Sequence, residues 1–128
     1  MSKYSITPTF KFDENDIINI INSAVYDIGY WACIDNDTED WNESGSALSG
    51  NDATFEDIFF HVLQRGKAVE LFDVEDNEEV WKLTLGKLFD GMKLAIENKY
   101  WDGDIDSLDG EIGDIIFQYA LFEEIVYG

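Results

Sequence analysis

His61 and Cys33 are the residues whose types could carry nucleophilic chemistry, since the chain has one histidine and one cysteine. A nucleophile needs a base within hydrogen-bond distance, so a cysteine–histidine dyad would have to consist of these two residues. His61 follows Phe59 and Phe60 in an apolar segment, which predicts a structural histidine. Cys33 stands in an apolar run typical of a strand, which predicts a buried, unreactive thiol. We therefore predict no catalytic residues and no enzymatic activity.

Two acidic runs have the alternating carboxylates that open a calcium-binding loop. The run 102–106 lacks the glycine required at position six and the glutamate required at position twelve, where Ser107 and Gly113 stand. The run that begins at Asp35 fails at the same two positions. A single cysteine excludes a disulfide within the chain and a cysteine zinc cluster, and the sequence has no glycine-rich phosphate loop. We predict no metal site and no cofactor, and leave weak calcium binding by the acidic loops open.

The distribution of charge is the most unusual feature of the sequence. The chain has 28 Asp and Glu against 8 Lys and Arg, a formal net charge of −20, whereas small soluble domains carry a net charge of magnitude about 2–8. Residues 13–64 and 100–128 contain acids but no Lys or Arg. Self-repulsion of this size costs stability, which indicates a compensating use. It disfavours direct binding to nucleic acid or to anionic membranes, since both require basic side chains.

A protein that displays carboxylates at high density can imitate the phosphates of DNA. Duplex DNA carries one negative charge per ~1.7 Å of axis, and an acidic face can occupy the groove of a basic DNA-binding protein. The alternative is a merely solvated or salt-adapted surface, but the abundance of Ile, Phe, Tyr and Trp favours binding. The predicted partner-binding acids lie in the two segments without Lys or Arg: Asp35, Asp37, Glu39, Asp40, Glu43, Asp102, Asp104 and Asp106.

Trp41 and Trp101 stand among these acids and have two interpretations. An exposed ring surrounded by carboxylates could anchor a basic partner through stacking or a cation–π contact with arginine. A buried ring would instead hold its loop against the core. The sequence does not decide between the two, so both tryptophans are included among the predicted partner-binding residues.

The length and periodicity of the chain predict one α+β domain over residues 1–128. Hydrophobic residues make up 45% of the chain, enough to form a core. We expect a small antiparallel sheet of about three strands covered by about four helices, in the order α-β-α-β-β-α-α. The polar segment 35–53 is predicted to be a long loop. The predicted helices are 13–27, 54–66, 84–98 and 109–124, and the predicted strands are 30–34, 68–72 and 79–83.

Three stretches carry a resemblance to a known family. They are residues 113–128 (GDIIFQYALFEEIVYG), residues 29–33 (GYWAC), and residues 80–84 (VWKLT) ahead of a helix. Over these stretches the chain resembles a family of short acidic proteins that occur in phages and prophages of Gram-positive bacteria. The resemblance implies a phage setting and transfers no catalytic residue. In size, charge and setting the chain is similar to anti-CRISPR and anti-restriction proteins, which block host nucleases by imitating DNA.

These features predict a phage-encoded counter-defence inhibitor of a bacterial defence nuclease. The expected partner is a basic nucleic-acid-binding protein such as a Cas effector. The alternative is a phage accessory or regulatory adaptor that docks a protein through exposed aromatics, with the charge serving solubility. The first five residues form no apolar signal-peptide core, and no apolar run approaches the ~20 residues of a membrane span. We therefore expect the cytoplasm of the bacterial host cell, and the sequence leaves a homodimer open.

Overall fold

The structure of the chain, a computed structural model, describes residues 10–49 and 52–128. It confirms the α+β class, with five helices and a three-stranded antiparallel sheet in these ranges. The helices are α1 (Glu14–Val25), α2 (Glu39–Ala47), α3 (Phe55–Gln64), α4 (Leu85–Glu97) and α5 (Gly110–Phe122), and the strands are β1 (Ala32–Ile34), β2 (Val69–Asp73) and β3 (Val80–Leu83). The order is the predicted one with α2 added. Strand β1 is shorter than predicted because Ile28–Tyr30 form a 3₁₀ turn.

Helix α2 lies within the segment 35–53, so the loop prediction is wrong for residues 39–47. Thr38 caps this helix by accepting a hydrogen bond from the Trp41 N–H at 3.1 Å. Glu39 and Asp40 occupy its first turn, where the helix dipole favours acids. Trp41 and Ser44 form a buried face. A cap and two buried residues therefore stabilise a helix whose composition is typical of a loop. Residues 50–51 of the predicted loop lie outside the described residues.

The four predicted helices begin at the capping residues that the sequence indicates. Asp13 and Asp16 form a reciprocal capping box at the start of α1, with the Asp16 N–H donating to Oδ1 of Asp13 at 2.8 Å. Thr54, Thr84 and Asp109 cap α3, α4 and α5. The caps fix where each helix begins, and the spacing of apolar residues determines which face turns inward. In α1 the buried face consists of Ile17, Ile20, Ile21 and Ala24.

The sheet has the strand order β1-β2-β3, and both pairings are antiparallel. Leu71, in the central strand, is fully buried. On the opposite face Cys33, Phe72 and Val80 stand in one row across the three strands. Cys33 is exposed, so the predicted burial of its thiol is wrong. Successive strand residues point to opposite faces, and in β1 Ala32 takes the buried position.

Helix α5 packs against both α4 and α1 through glycines that allow a close approach of backbones. A Cβ placed on Gly91 would lie 2.8 Å from both N and Cβ of Ala120, and closer still to the carbonyl oxygen of Ile116. A Cβ placed on Gly113 would lie 2.7 Å from the backbone N of Ala24. Contacts this short essentially never occur for a real Cβ. Both helix crossings therefore require glycine at these positions.

A buried carboxylate on α5, Asp114, links the start of the sheet to the C-terminal residues. Asp114 is 6% exposed and accepts hydrogen bonds from the Tyr30 hydroxyl at 2.6 Å, Nε1 of Trp31 at 2.9 Å and Nε2 of Gln118 at 2.9 Å. Oε1 of Gln118 accepts from the backbone N–H groups of residues 126–127 at 2.8 Å each. Burial, reinforced by the hydrogen bond to Asp114 and its charge, raises the pKa of Tyr30 to about 12. Because these polar groups have hydrogen-bond partners within the network, we assign the network a structural role in holding α5, the start of the sheet and the C-terminal residues together.

Candidate protein-binding surface

The first group of predicted acids lies along the connection from β1 into α2. The Asp35 N–H donates to the carbonyl oxygen of Glu70 at 2.8 Å and so extends the strand pairing. The Asp35 carboxylate accepts from the Asp37 N–H at 3.0 Å. Asp37 and Glu39 are exposed. These bonds hold the backbone that carries the acids, so the carboxylates are presented from a hydrogen-bonded segment.

Arg65, at the end of α3, partly neutralises the other two acids of this group. Its Nη2 lies 2.7 Å from Oε2 of Glu43 and 3.8 Å from Oδ1 of Asp40. Its Nη1 donates to the main-chain carbonyl of Asp40 at 3.0 Å. The guanidinium therefore holds α2 against α3. Arg65 partly offsets the negative charge of Asp40 and Glu43. No Lys or Arg of the described residues pairs with the other acids of this group, Asp35, Asp37 and Glu39.

Ser44 and His61 have the separation of a nucleophile and its base. The Ser44 hydroxyl lies 2.9 Å from Nδ1 of His61, and the same hydroxyl accepts from Nη1 of Arg65 at 2.8 Å. Ser44 is 0% exposed, so no substrate reaches its hydroxyl in this structure. The pair therefore has a structural role, in which it fastens α2 to α3 together with Arg65.

The second group of predicted acids lies in the connection between α4 and α5. Asp102 accepts from the Asp104 N–H at 2.9 Å and from the Ser107 hydroxyl at 2.6 Å, and Asp104 accepts from the Asp106 N–H at 2.9 Å. The Ser107 hydroxyl contributes most to lowering the pKa of Asp102 below its ordinary value. These three carboxylates are exposed, and those of Asp102 and Asp104 accept hydrogen bonds from their own loop. Within residues 10–49 and 52–128, no three His, Cys, Asp or Glu side chains are grouped as metal ligands would be.

Trp41 and Trp101 both belong to the core, so the interpretation as exposed anchors is wrong and the alternative, a buried ring that holds its loop against the core, is the one that the structure shows. Trp41 is 6% exposed and packs against the ring of Phe55, with centroids 4.7 Å apart. Trp101 is 3% exposed and stacks on Phe12 at 5.6 Å. Its Nε1 donates to the carbonyl oxygen of Asp104 at 3.0 Å. Burial of these large apolar rings outweighs the polarity of their neighbours, and each ring supports the backbone of an acidic segment from below.

The two groups of acids are supported independently and have few cations near them. No hydrogen bond or ion pair among the described residues joins the two groups. All 28 acids of the chain lie in the described ranges. Only three of them, Asp40, Glu43 and Glu97, have a Lys or Arg nitrogen within 4.0 Å there.

Two further acidic clusters were not predicted as binding residues. Glu14 accepts from Nε2 of Gln64 at 3.1 Å, which brings the acidic start of α1 beside the end of α3 that carries Arg65. No sequence signal indicates this neighbourhood, because α1 and α3 are far apart along the chain. The turn between β2 and β3 forms the other cluster, and its charge run is visible in the sequence. Its exposed acids are Glu75, Asp76, Glu78 and Glu79.

Comparison with known proteins adds no family to this description. No protein-family model matches the chain, and no curated protein or solved structure is significantly similar to it. In the part of the chain that the structure describes, no helix is both long and apolar enough to cross a membrane. The phage family named from the sequence stays a prediction.

Proposed function

We propose that the chain is a phage-encoded counter-defence inhibitor that blocks a bacterial defence nuclease of the Cas effector class. Its carboxylates would take the place of DNA phosphates on the basic surface of the nuclease. The observation that carries this proposal is the scarcity of internal neutralisation, since three of 28 acids have a basic partner among the described residues. The resulting repulsion is unfavourable in the free protein and is relieved when a basic surface neutralises it.

The support of the acidic segments favours binding over mere solvation. Asp37 and Glu39 stand on a segment that pairs with β2 and is capped by Thr38, and the 102–106 loop is closed by its own hydrogen bonds. Groups that are already positioned lose less conformational entropy when they bind.

The proposed acids divide into contacting and supporting residues. Asp40 and Glu43 are held by Arg65 and chiefly position α2, and Asp35 positions the backbone before it. The direct contacts are assigned to the exposed acids that have no basic partner among the described residues: Asp37, Glu39, Asp102, Asp104 and Asp106.

The first experiment identifies the nuclease. The tagged protein is used to capture partners from a lysate of the phage host, and bound proteins are released by stepwise increases in salt. A captured nuclease that elutes as salt rises, and whose DNA binding the purified protein competes with, supports the proposal, because such contacts are screened by ions. Partners without a basic nucleic-acid-binding surface, retained through high salt, would overturn it and favour the adaptor alternative, which binds through apolar contacts.

A matched pair of variants then tests which carboxylates bind. Asp37→Asn with Glu39→Gln removes two exposed charges from the α2 segment, and Glu75→Gln with Glu78→Gln removes two from the β2–β3 turn. An exposed ion pair contributes about 0.2–1 kcal/mol, so the first variant should bind the nuclease roughly 2- to 30-fold more weakly, with a shallower salt dependence. The second should bind nearly as the unaltered protein does. Equal losses of affinity in both variants would show that the total charge of the chain, and not the position of these carboxylates, governs binding to the nuclease.

A further inference from the structure

An open apolar groove of 610 Å³ lies on the outer face of α4. Phe10, Phe89 and Ile96 line it, and Phe10 and Phe89 are 40% and 46% exposed. Lys93 and Glu97 stand beside it one helical turn apart, with Nζ 3.9 Å from Oε1 and side chains 72% and 54% exposed. Exposed apolar groups bordered by charged groups are typical of protein–protein contact surfaces.

The sequence around this face is much less acidic than the chain as a whole. Residues 85–99, which include α4, contain three lysines and two acids, whereas the whole chain has a net charge of −20. Two copies of so acidic a molecule repel each other wherever acidic surfaces meet. Contact through the face of α4 therefore places little like charge between two copies.

The stripe on α4 is also complementary to itself, as a twofold contact requires. Phe89, Lys93 and Glu97 recur at intervals of four residues and so share one side of the helix. An antiparallel second copy can bring its Glu97 against Lys93 and its Lys93 against Glu97, with Phe89 buried beside them. We propose that the chain forms a weak homodimer through the α4 groove.

Salt separates this contact from the proposed binding to a nuclease. Salt screens both the long-range repulsion between two copies of net charge −20 and the attraction of two exposed Lys93–Glu97 pairs, and relief of the repulsion should be the larger effect. Dimer affinity should therefore rise with ionic strength, while affinity for a basic nuclease falls. Since the two contacts respond oppositely and use different residues, either proposal can fail without the other.

Sedimentation equilibrium of the full chain over a range of concentrations and salt tests the dimer. Lys93→Glu and Glu97→Lys each place like charges in contact and should weaken the dimer, by roughly 2- to 30-fold for two symmetry-related exposed pairs. The double variant restores opposite charges and should recover the affinity. If net charge alone governed association, Glu97→Lys would instead strengthen the dimer, because it makes the chain less negative.

A second matched pair tests the apolar part of the contact. Phe89→Asp places a carboxylate in the groove, and Tyr26→Asp places one at an aromatic position outside the groove that is 83% exposed. Both side chains are exposed enough that the fold should persist, which circular dichroism checks. The dimer should be lost in the first variant and kept in the second. A chain that remains monomeric at every concentration and salt, or equal effects of the two substitutions, would overturn the proposal.

Discussion

Gly91→Ala should destabilise the protein because α4 and α5 have no room for a methyl group between them. The added Cβ would lie 2.8 Å from N and Cβ of Ala120, whereas ordinary contacts begin at 3.4 Å. The helices would have to separate by about 0.6 Å at Ala120, and by more at the carbonyl oxygen of Ile116. Two of the three blocking atoms belong to the backbone and cannot rotate away.

The expected loss of stability is the free-energy cost of this crowding minus the gain from the higher helix propensity of alanine. Overpacking a core costs about 1–3 kcal/mol, and backbone obstruction favours the upper end. Alanine gains about 1 kcal/mol over glycine inside a helix. The free energy of unfolding should therefore fall by about 2 kcal/mol. Gly86 in the same helix is the control, since a Cβ there meets nothing within 4 Å and Gly86→Ala should gain up to about 1 kcal/mol.

Urea denaturation of the two variants measures this difference. With slopes of about 1–3 kcal/mol per M, a difference of about 3 kcal/mol separates their midpoints by roughly 1–3 M. Unchanged slopes would show that both variants unfold from a similar native state. If Gly91→Ala proved as stable as Gly86→Ala, the close approach of α4 and α5 would be refuted.

Two further predictions concern the hydrogen-bond networks around Asp114 and Ser44. The pKa of Tyr30 is raised from 10.0 to about 12, so the contribution of Tyr30 to stability is fully present below pH 10 and is lost as pH rises through about 12. In an ultraviolet pH titration, Tyr30→Phe should remove a tyrosine ionisation that occurs near pH 12. Loss of an ionisation near pH 10 would contradict the raised pKa of Tyr30. Ser44→Ala should cost about 1–3 kcal/mol, because His61 and Arg65 each lose a hydrogen-bond partner. Ser46→Ala, at an exposed site on α2, should stay within about 0.5 kcal/mol of the unaltered chain. If Ser44→Ala were as stable as Ser46→Ala, the contacts of Ser44 with His61 and Arg65 would not be what holds α2 against α3.

Local signals predicted most of the secondary structure, because caps and apolar spacing act within a few residues. The exception is α2, where the cap Thr38 is followed by Glu39 and Asp40 much as Thr54 is followed by acids at α3. The polar composition of the surrounding segment indicates a loop in spite of this capping signal. The helix is stabilised by tertiary burial of Trp41, which composition does not reveal.

The candidate surface was predictable only in part. The exposure of Asp37 and Glu39 follows from their polarity, and the structure agrees. The neutralisation of Glu43 does not, because Arg65 lies far along the chain and meets it only once α2 packs on α3. The burial of Trp101 likewise depends on Phe12, which comes from the opposite end of the sequence.

The pairing of β1 with β2 has a consequence for the order of folding. Register places Ile34 beside Leu71, so β1 can join the sheet only after the chain containing α2 and α3 has been looped back. Closing this loop costs more entropy than forming the β2–β3 hairpin, so β1 should dock late and detach first. Amide hydrogen exchange should be faster at Cys33 than at Leu71, and equal protection would argue against this order. The acids of α2 therefore follow the strand of the sheet that opens most readily.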